Sequence, residues 1–276
     1  MGCEANSRNP LINHEILREK AFLIALIIIF CVQACIMSRL FWVLFFQIGL
    51  GKSPFIAGLM TMPSTAMSMF FAPLAGRLLD RYGPRLPVIS GFFMLTLGII
   101  WISISATSLN LWILILGTIF FGIGSSLSIA CIFTPAISII PAKYRGAATG
   151  LYNQIREIGG AFGLAAIGAT ITNIDDRYFK KLLKLENLPT TINSQVDSIL
   201  SGTKNSQLEL AALPHAIAIK IHEIATIAYT HAFRYGMIVA SIFALVVLIL
   251  AIKKLPNINL DKLYQISELD KHNARK

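Results

Sequence analysis

The chain has 276 residues, of which 55% are hydrophobic and 14% charged, against about 25% charged in an ordinary soluble protein. With a mean hydropathy of +0.67, this much apolar surface excludes a water-soluble globule and requires lipid as solvent. The formal net charge of +10 does not point to nucleic acid, because the cations lie in loops between apolar runs, where topology-setting charges sit.

A helix crosses hydrocarbon of about 30 Å with about 20 mostly apolar residues. Six stretches meet that length. Residues 1–20 are polar, but Leu11, Ile12, Ile16 and Leu17 after Pro10 have the spacing of a short amphipathic helix on the membrane surface. The first run, 21–49, spans 29 residues and contains Arg39. No turn signal interrupts it, so it reads as one long or tilted helix. It is too long for the apolar core of a signal peptide and lacks a small-residue cleavage site. Gly49 to Pro54 is a turn, followed by the second run at 56–76. Gly83-Pro84 turns the chain into the third run, 88–106, and residues 107–110 make a short hairpin into the fourth, 111–140. Pro141 ends that run, and Arg145-Gly146 opens the Gly- and Ala-rich fifth, 147–171. A polar segment follows, whose last part, 207–230, is apolar enough for an amphipathic helix; with His215, His222 and His231 it reads as a surface excursion without chemistry. The sixth run is 233–252.

The expected organisation is therefore a lead-in at 1–20, five transmembrane helices in 21–172, a long extracytoplasmic loop at 173–229, a sixth helix at 230–252 and a tail at 253–276. The short loops alternate in charge. One side carries Arg77, Arg81, Arg85, Lys143, Arg145 and the lysines of the tail, and the other only Lys52. Cations mark the cytoplasmic side, so both termini are expected there, and long loops escape the rule. Cys31 and Cys35 lie four apart in an apolar run with no histidine or carboxylate nearby, so they are expected as small buried residues and not as metal ligands.

The most specific pattern is Gly76-Arg77-Leu78-Leu79-Asp80-Arg81-Tyr82-Gly83-Pro84-Arg85. Gly76 permits close backbone approach, Gly83 a tight turn, and Asp80 is an anion at the membrane boundary with Arg77 and Arg81 in reach. Such a cluster can latch one conformation and release in another. It resembles the loop motif between the second and third helices of a six-helix half of the major facilitator superfamily, with Pro84 where a basic residue is common. Gln47 to Pro54, Ala57-Gly58-Leu59, Met62-Pro63, Arg145 to Arg156 and Gly159 to Gly163 extend the resemblance. Together they are similar to the last six helices of the fourteen-helix drug:proton antiporters of the EmrB/QacA type, from about Pro10 to Lys253.

The resemblance implies an all-α membrane protein of six helices, one half of the superfamily's fold, built from two inverted three-helix repeats. It implies a plasma-membrane protein, in a bacterial inner membrane, that exports small drug-like compounds by proton antiport. Such a chain is incomplete alone and pairs with a separate N-terminal half. A half of a metabolite transporter, an inactive remnant and a membrane scaffold are the alternatives. The expected partners are the substrate, protons and the bilayer, with no nucleic acid and no cofactor. No phosphate loop, metal-ligand spacing or nucleophile with a base occurs, so no enzyme is expected.

Polar groups inside the runs are functional candidates by default. Gln33, Arg39, Gln47, Asn153, Arg156 and Glu157 form the candidate proton and substrate pathway. Glu157 is the acid within the spans, and a carboxylate in low dielectric can carry a proton. As sequence neighbours, Arg156 and Glu157 are not expected to share a helix face. Gly146 and Gly150, and Gly159 and Gly163, have the four-residue spacing that lets membrane helices pack closely. Phe41, Trp42, Phe45, Phe46, Phe70 and Phe71 near span ends are expected as an interfacial belt.

Overall fold

The computed structural model describes residues 19–108, 110–185 and 215–254. The expected lead-in, the middle of the long loop and the tail lie outside these residues. Every regular element described is helical: α1 Lys20–Ile36, α2 Arg39–Ile48, α3 Pro54–Tyr82, α4 Arg85–Ser105, α5 Leu111–Ser138, α6 Arg145–Leu185 and α7 His215–Lys254. One-turn 3₁₀ helices lie at Ala106–Ser108 and Ala142–Tyr144. With α1 and α2 taken as one span, six helices are long and apolar enough to cross a membrane.

The helix ends follow from local chemistry. Ser53 Oγ accepts from the Ile56 N–H and Pro54 starts α3, while Asn110 Oδ1 accepts from the Trp112 N–H at 3.1 Å to start α5. Gly83, at φ 73°, ends α3 in a conformation other residues resist. The first span departs from the expected single helix. Around Met37 and Ser38 the amides of Ser38, Leu40 and Phe41 bond three residues back, at 3.1 Å each. This local tightening separates α1 from α2 and escapes sequence rules because neither residue is a helix breaker.

The spans pack in a pattern with internal symmetry. The second packs on the fourth and the fifth on the first. The third packs on the fourth and the sixth on the first, and the third and sixth pack on each other. Exchanging first with fourth, second with fifth and third with sixth maps this pattern onto itself, as two three-helix repeats require.

Glycines set the closest approaches. Gly91 and Gly98 of α4 face Gly117 and Gly124 of α5, where an added Cβ would meet the backbone or side chains of the facing helix. Gly122 does the same against the Ser64 backbone of α3. These residues let backbones approach where lipid supplies no hydrophobic push between helices.

Two apolar clusters fill the bundle. Phe22, Leu79, Val88, Ile140 and Ala251 share one, which places Lys20, the Gly83 turn, Lys143 and Lys254 at the same end. Trp42, Phe45, Phe46, Phe121 and Phe233 share the other, with Phe45 and Phe233 stacked at 4.2 Å. Trp42, Phe45 and Phe46 are therefore core residues and not the belt expected. They fall on the inward side of α2, a direction that nearness to a span end does not reveal. Cys35 is buried, as expected, and Cys31 half-buried; Cys131 is buried too, and the Cys35 and Cys131 thiols contact the Ala240 and Ala75 carbonyls at 3.6 and 3.4 Å.

α6 continues past residue 172, where a loop was expected, while the start of α7 agrees with the amphipathic helix expected at 207–230. α6 has 41 residues and α7 has 40, or about 60 Å each at 1.5 Å per residue. Both outrun a bilayer. Their extensions pack on each other through Phe179, Leu183, Ile221, Ile224 and Ala228. Exposed Asn173, Arg177, Lys180, Lys181 and Lys184 lower the average hydropathy of the α6 extension, so it reads as loop in sequence although one face is apolar.

Candidate functional site

Two spans are barely covered. Of the most apolar stretch of α3 only 17% is buried, and of α6 28%, against 56% in the first and third spans. These are the second and fifth spans, the pair that the internal symmetry exchanges. Each packs on one side and leaves the other side open.

On α6 the open side combines small and polar residues with the exposed apolar side chains of Ile158, Phe162 and Leu164. Gly150, Gln154, Glu157, Ala161, Ala165 and Ala169 are exposed and recur at three- or four-residue intervals. Arg156 donates to Glu157 through Nη2 at 2.8 Å and Nε at 3.2 Å. The two side chains are 36% and 67% exposed. Adjacent residues therefore do pair, against expectation, because the long arginine stem bends round the helix to reach its neighbour. Asn153 is half-buried on the same helix.

The two glycine pairs expected to pack on α6 differ in what they meet. Gly159 and Gly163 press against the backbones of Phe30 and Ala34 of α1. Gly146 and Gly150 have nothing within 4 Å of an added Cβ, so they pack no helix of the described chain. Spacing alone could not separate the two pairs.

The remaining pathway candidates are dispersed. Gln33 is buried at the α1–α6 contact beside Gly160. Gln47 donates to the Val43 carbonyl of its own helix at 3.3 Å. Arg39 is exposed at the start of α2. The structure brings together Asn153, Arg156 and Glu157, and sets Gln33, Arg39 and Gln47 elsewhere.

The motif loop sits at the basic end of the bundle. Asp80 and Arg77 are exposed, and among the described residues no salt bridge reaches Asp80. Arg81 lies over the Tyr82 ring at 5.3 Å. Arg85 Nη2 donates to the Ile252 carbonyl in the last turn of α7 at 3.3 Å. Gly83 makes the expected turn, but Gly76 has open space where close approach was expected.

Three features escaped the sequence. Arg145 donates to the Ile140 and Ser138 carbonyls at 3.1 and 3.5 Å, closing the C-terminal end of α5. Ser68 of α3 and Ser125 of α5 lie 3.1 Å apart, and both hydroxyls donate to the Gly122 carbonyl. Asp175, beyond the expected end of the fifth span, has a buried Oδ1 without a hydrogen-bond partner, as has the Tyr229 hydroxyl. His231 stacks on Tyr178 at 4.8 Å, a packing role. Among the described residues no group of three His, Cys, Asp or Glu side chains is placed to hold a metal.

Residues 4–164, more than half of the chain, match the family model described as Major Facilitator Superfamily. The chain is 30% identical over 169 residues to "Multidrug resistance protein Stp" of Mycobacterium tuberculosis, covering 61% of this chain and 31% of that protein. It is 29% identical over 180 residues to "Quinolone resistance protein NorB" of Staphylococcus aureus, covering 62% and 39%. It is 27% identical over 161 residues to "Lincomycin resistance protein LmrB" of Bacillus subtilis, covering 57% and 33%. The matched region spans about a third of the length of these relatives.

Proposed function

The chain belongs to the Major Facilitator Superfamily, and on that premise we propose that it forms one six-helix bundle of a transporter that exports small drug-like compounds in exchange for protons. The multi-pass membrane character follows from the six apolar helices. The export reading draws on relatives named for resistance to multiple drugs, quinolones and lincomycin.

The observation that carries the proposal is the open side of α6. An ion pair and a glutamine stand on it, exposed, within a membrane span. A charged side chain at the bilayer centre costs about 3 kcal/mol on insertion scales, and such groups therefore face a bundle interior or a water-filled cavity. A side that carries these polar groups and is covered by no described helix suits the wall of a central cavity whose other wall is a second bundle. The exposed α3 forms the rest of that wall. Transport then proceeds by rocking of the two bundles about the cavity.

In this reading Arg156 and Glu157 face the solute path, and the pair opens and closes as a proton or a cationic substrate competes for the carboxylate. Gly146 and Gly150 are packing surface for the second bundle. Gly76, Arg77, Asp80, Arg81, Gly83 and Arg85 latch the bundles at the basic end, which the charge distribution assigns to the cytoplasm together with both termini. Gln33, Arg39 and Gln47 support the first span.

The test is proton-linked efflux of a cationic dye from cells that make this chain, its N-terminal companion bundle, or both. Efflux with both, abolished by a protonophore and by Glu157→Gln, is the expected result. Equal efflux with and without this chain sinks the export reading.

A further inference from the structure

At the basic end, the last turns of α7 run between two apolar grooves. One, of about 610 Å³, lies between α4 and α7 and is lined by Tyr82, Arg85, Leu86, Ile89, Phe93 and Leu248 among others. The other, of about 330 Å³, lies between α1 and α7 and is lined by Lys20, Ile24, Ile27, Leu250 and Lys254 among others. Neither belongs to the open side of α3 and α6. Both open sideways, since Ile27, Leu86, Phe93 and Ile252 are among the exposed apolar residues, so their surroundings in a membrane are lipid.

Each groove has the same polarity along its length. From Phe93 to Arg85, and from Ile28 to Lys20, an apolar floor runs eight residues, about 12 Å at 1.5 Å per residue. It then ends at a cation. Arg85 is held at the rim by its bond to the Ile252 carbonyl, and a guanidinium has donors left after one such bond. Lys20 opens α1 and Lys254 closes α7, both exposed. Lys253 stands beside them. Among the described residues no acidic side chain lines either groove, and Glu19 precedes Lys20 without lining it.

We propose that each of the two grooves flanking the end of α7 binds an anionic phospholipid, with an acyl chain along the groove and the phosphate at its cationic end, Arg85 in one groove and Lys20 with Lys254 in the other. Lipid at any apolar face is indifferent to headgroup. A slot that ends in fixed cations at the depth of the last helical turn is not, because the phosphate must arrive at the same depth as the charge. Basic pockets between membrane helices select acidic headgroups on this physical ground. The charge complementarity also argues against a zwitterionic lipid, whose own cation would lie beside the arginine or the lysines that end each groove.

The full chain, reconstituted with equal amounts of phosphatidylglycerol and phosphatidylcholine and released from detergent, is assayed for retained lipid by native mass spectrometry. Phosphatidylglycerol is expected to remain bound in preference, with the preference falling about fivefold for each cation removed. Arg85→Gln and the pair Lys20→Gln/Lys254→Gln are the charge variants. Ile89→Trp fills the larger groove and is expected to reduce retained lipid of either headgroup. If Arg85→Gln fails to fold, the lysine pair decides alone, since neither lysine makes a structural contact with a helix end. Millimolar inorganic phosphate is expected to leave the lipid in place, because the chains carry part of the affinity. Displacement by free phosphate, equal retention of the two lipids, or undiminished preference in the charge variants overturns the proposal.

Discussion

In the proposed reading Arg156 and Glu157 serve transport and not stability. Their ion pair is exposed, and exposed pairs contribute between nothing and about 1 kcal/mol. Arg156→Gln is therefore expected to leave thermal stability in detergent within about 1 kcal/mol while removing dye efflux from the assembled transporter. A large loss of stability would mean that the pair is structural. Asp175 presents the opposite case. Its buried Oδ1 has no partner, and a buried polar group left unsatisfied costs about 1–3 kcal/mol, more when charged. Asp175→Asn is expected to raise the melting temperature, by about 1 kcal/mol of stability; a lower melting temperature would show that the carboxylate has a use. The sequence located Glu157 but not Asp175. Residue 175 lay past the apolar run, and only the continuation of α6 brought it beside α7.

Among elements, the glycines separate contacts inside the bundle from surface left for another. Gly124 sits against the α4 backbone near Leu95, so Gly124→Leu forces α4 and α5 apart and is expected to cost about 3 kcal/mol, read as loss of folded protein in a detergent melt. Gly150 has open space. Gly150→Leu is expected to leave the isolated bundle's melt unchanged but to block efflux when the companion bundle is present. Equal melts for the two variants would remove the distinction. Arg145→Ala strips two contacts from the carbonyl end of α5 and is expected to cost about 1 kcal/mol. The four-residue glycine spacing was legible in the sequence. Which pair met a neighbour was not, because spacing defines a face and says nothing of what lies opposite.

For the whole molecule, the second and fifth spans matter most, since they are related by the internal symmetry and both uncovered. A companion bundle is expected to protect both from lipid-soluble labelling at Met62, Met69 and Ala161 while leaving α4 and α7 accessible; unchanged labelling would place the open sides in lipid. The sequence by itself determined the solvent, the number of crossings and the family. These depend on run length, hydropathy and a short motif, all properties of the chain taken in order. It also placed the turn at Gly83 and the starts of α3 and α5, where the chemistry is local. The tertiary structure alone decided that Trp42, Phe45 and Phe46 are core, that α6 continues past residue 172 and pairs with α7, and that the side of α6 carrying Gln154 and Glu157 faces no described helix. Those outcomes depend on which helix faces which, and in lipid that choice is made by shape and small-residue contact, not by the hydrophobic pattern that the sequence displays.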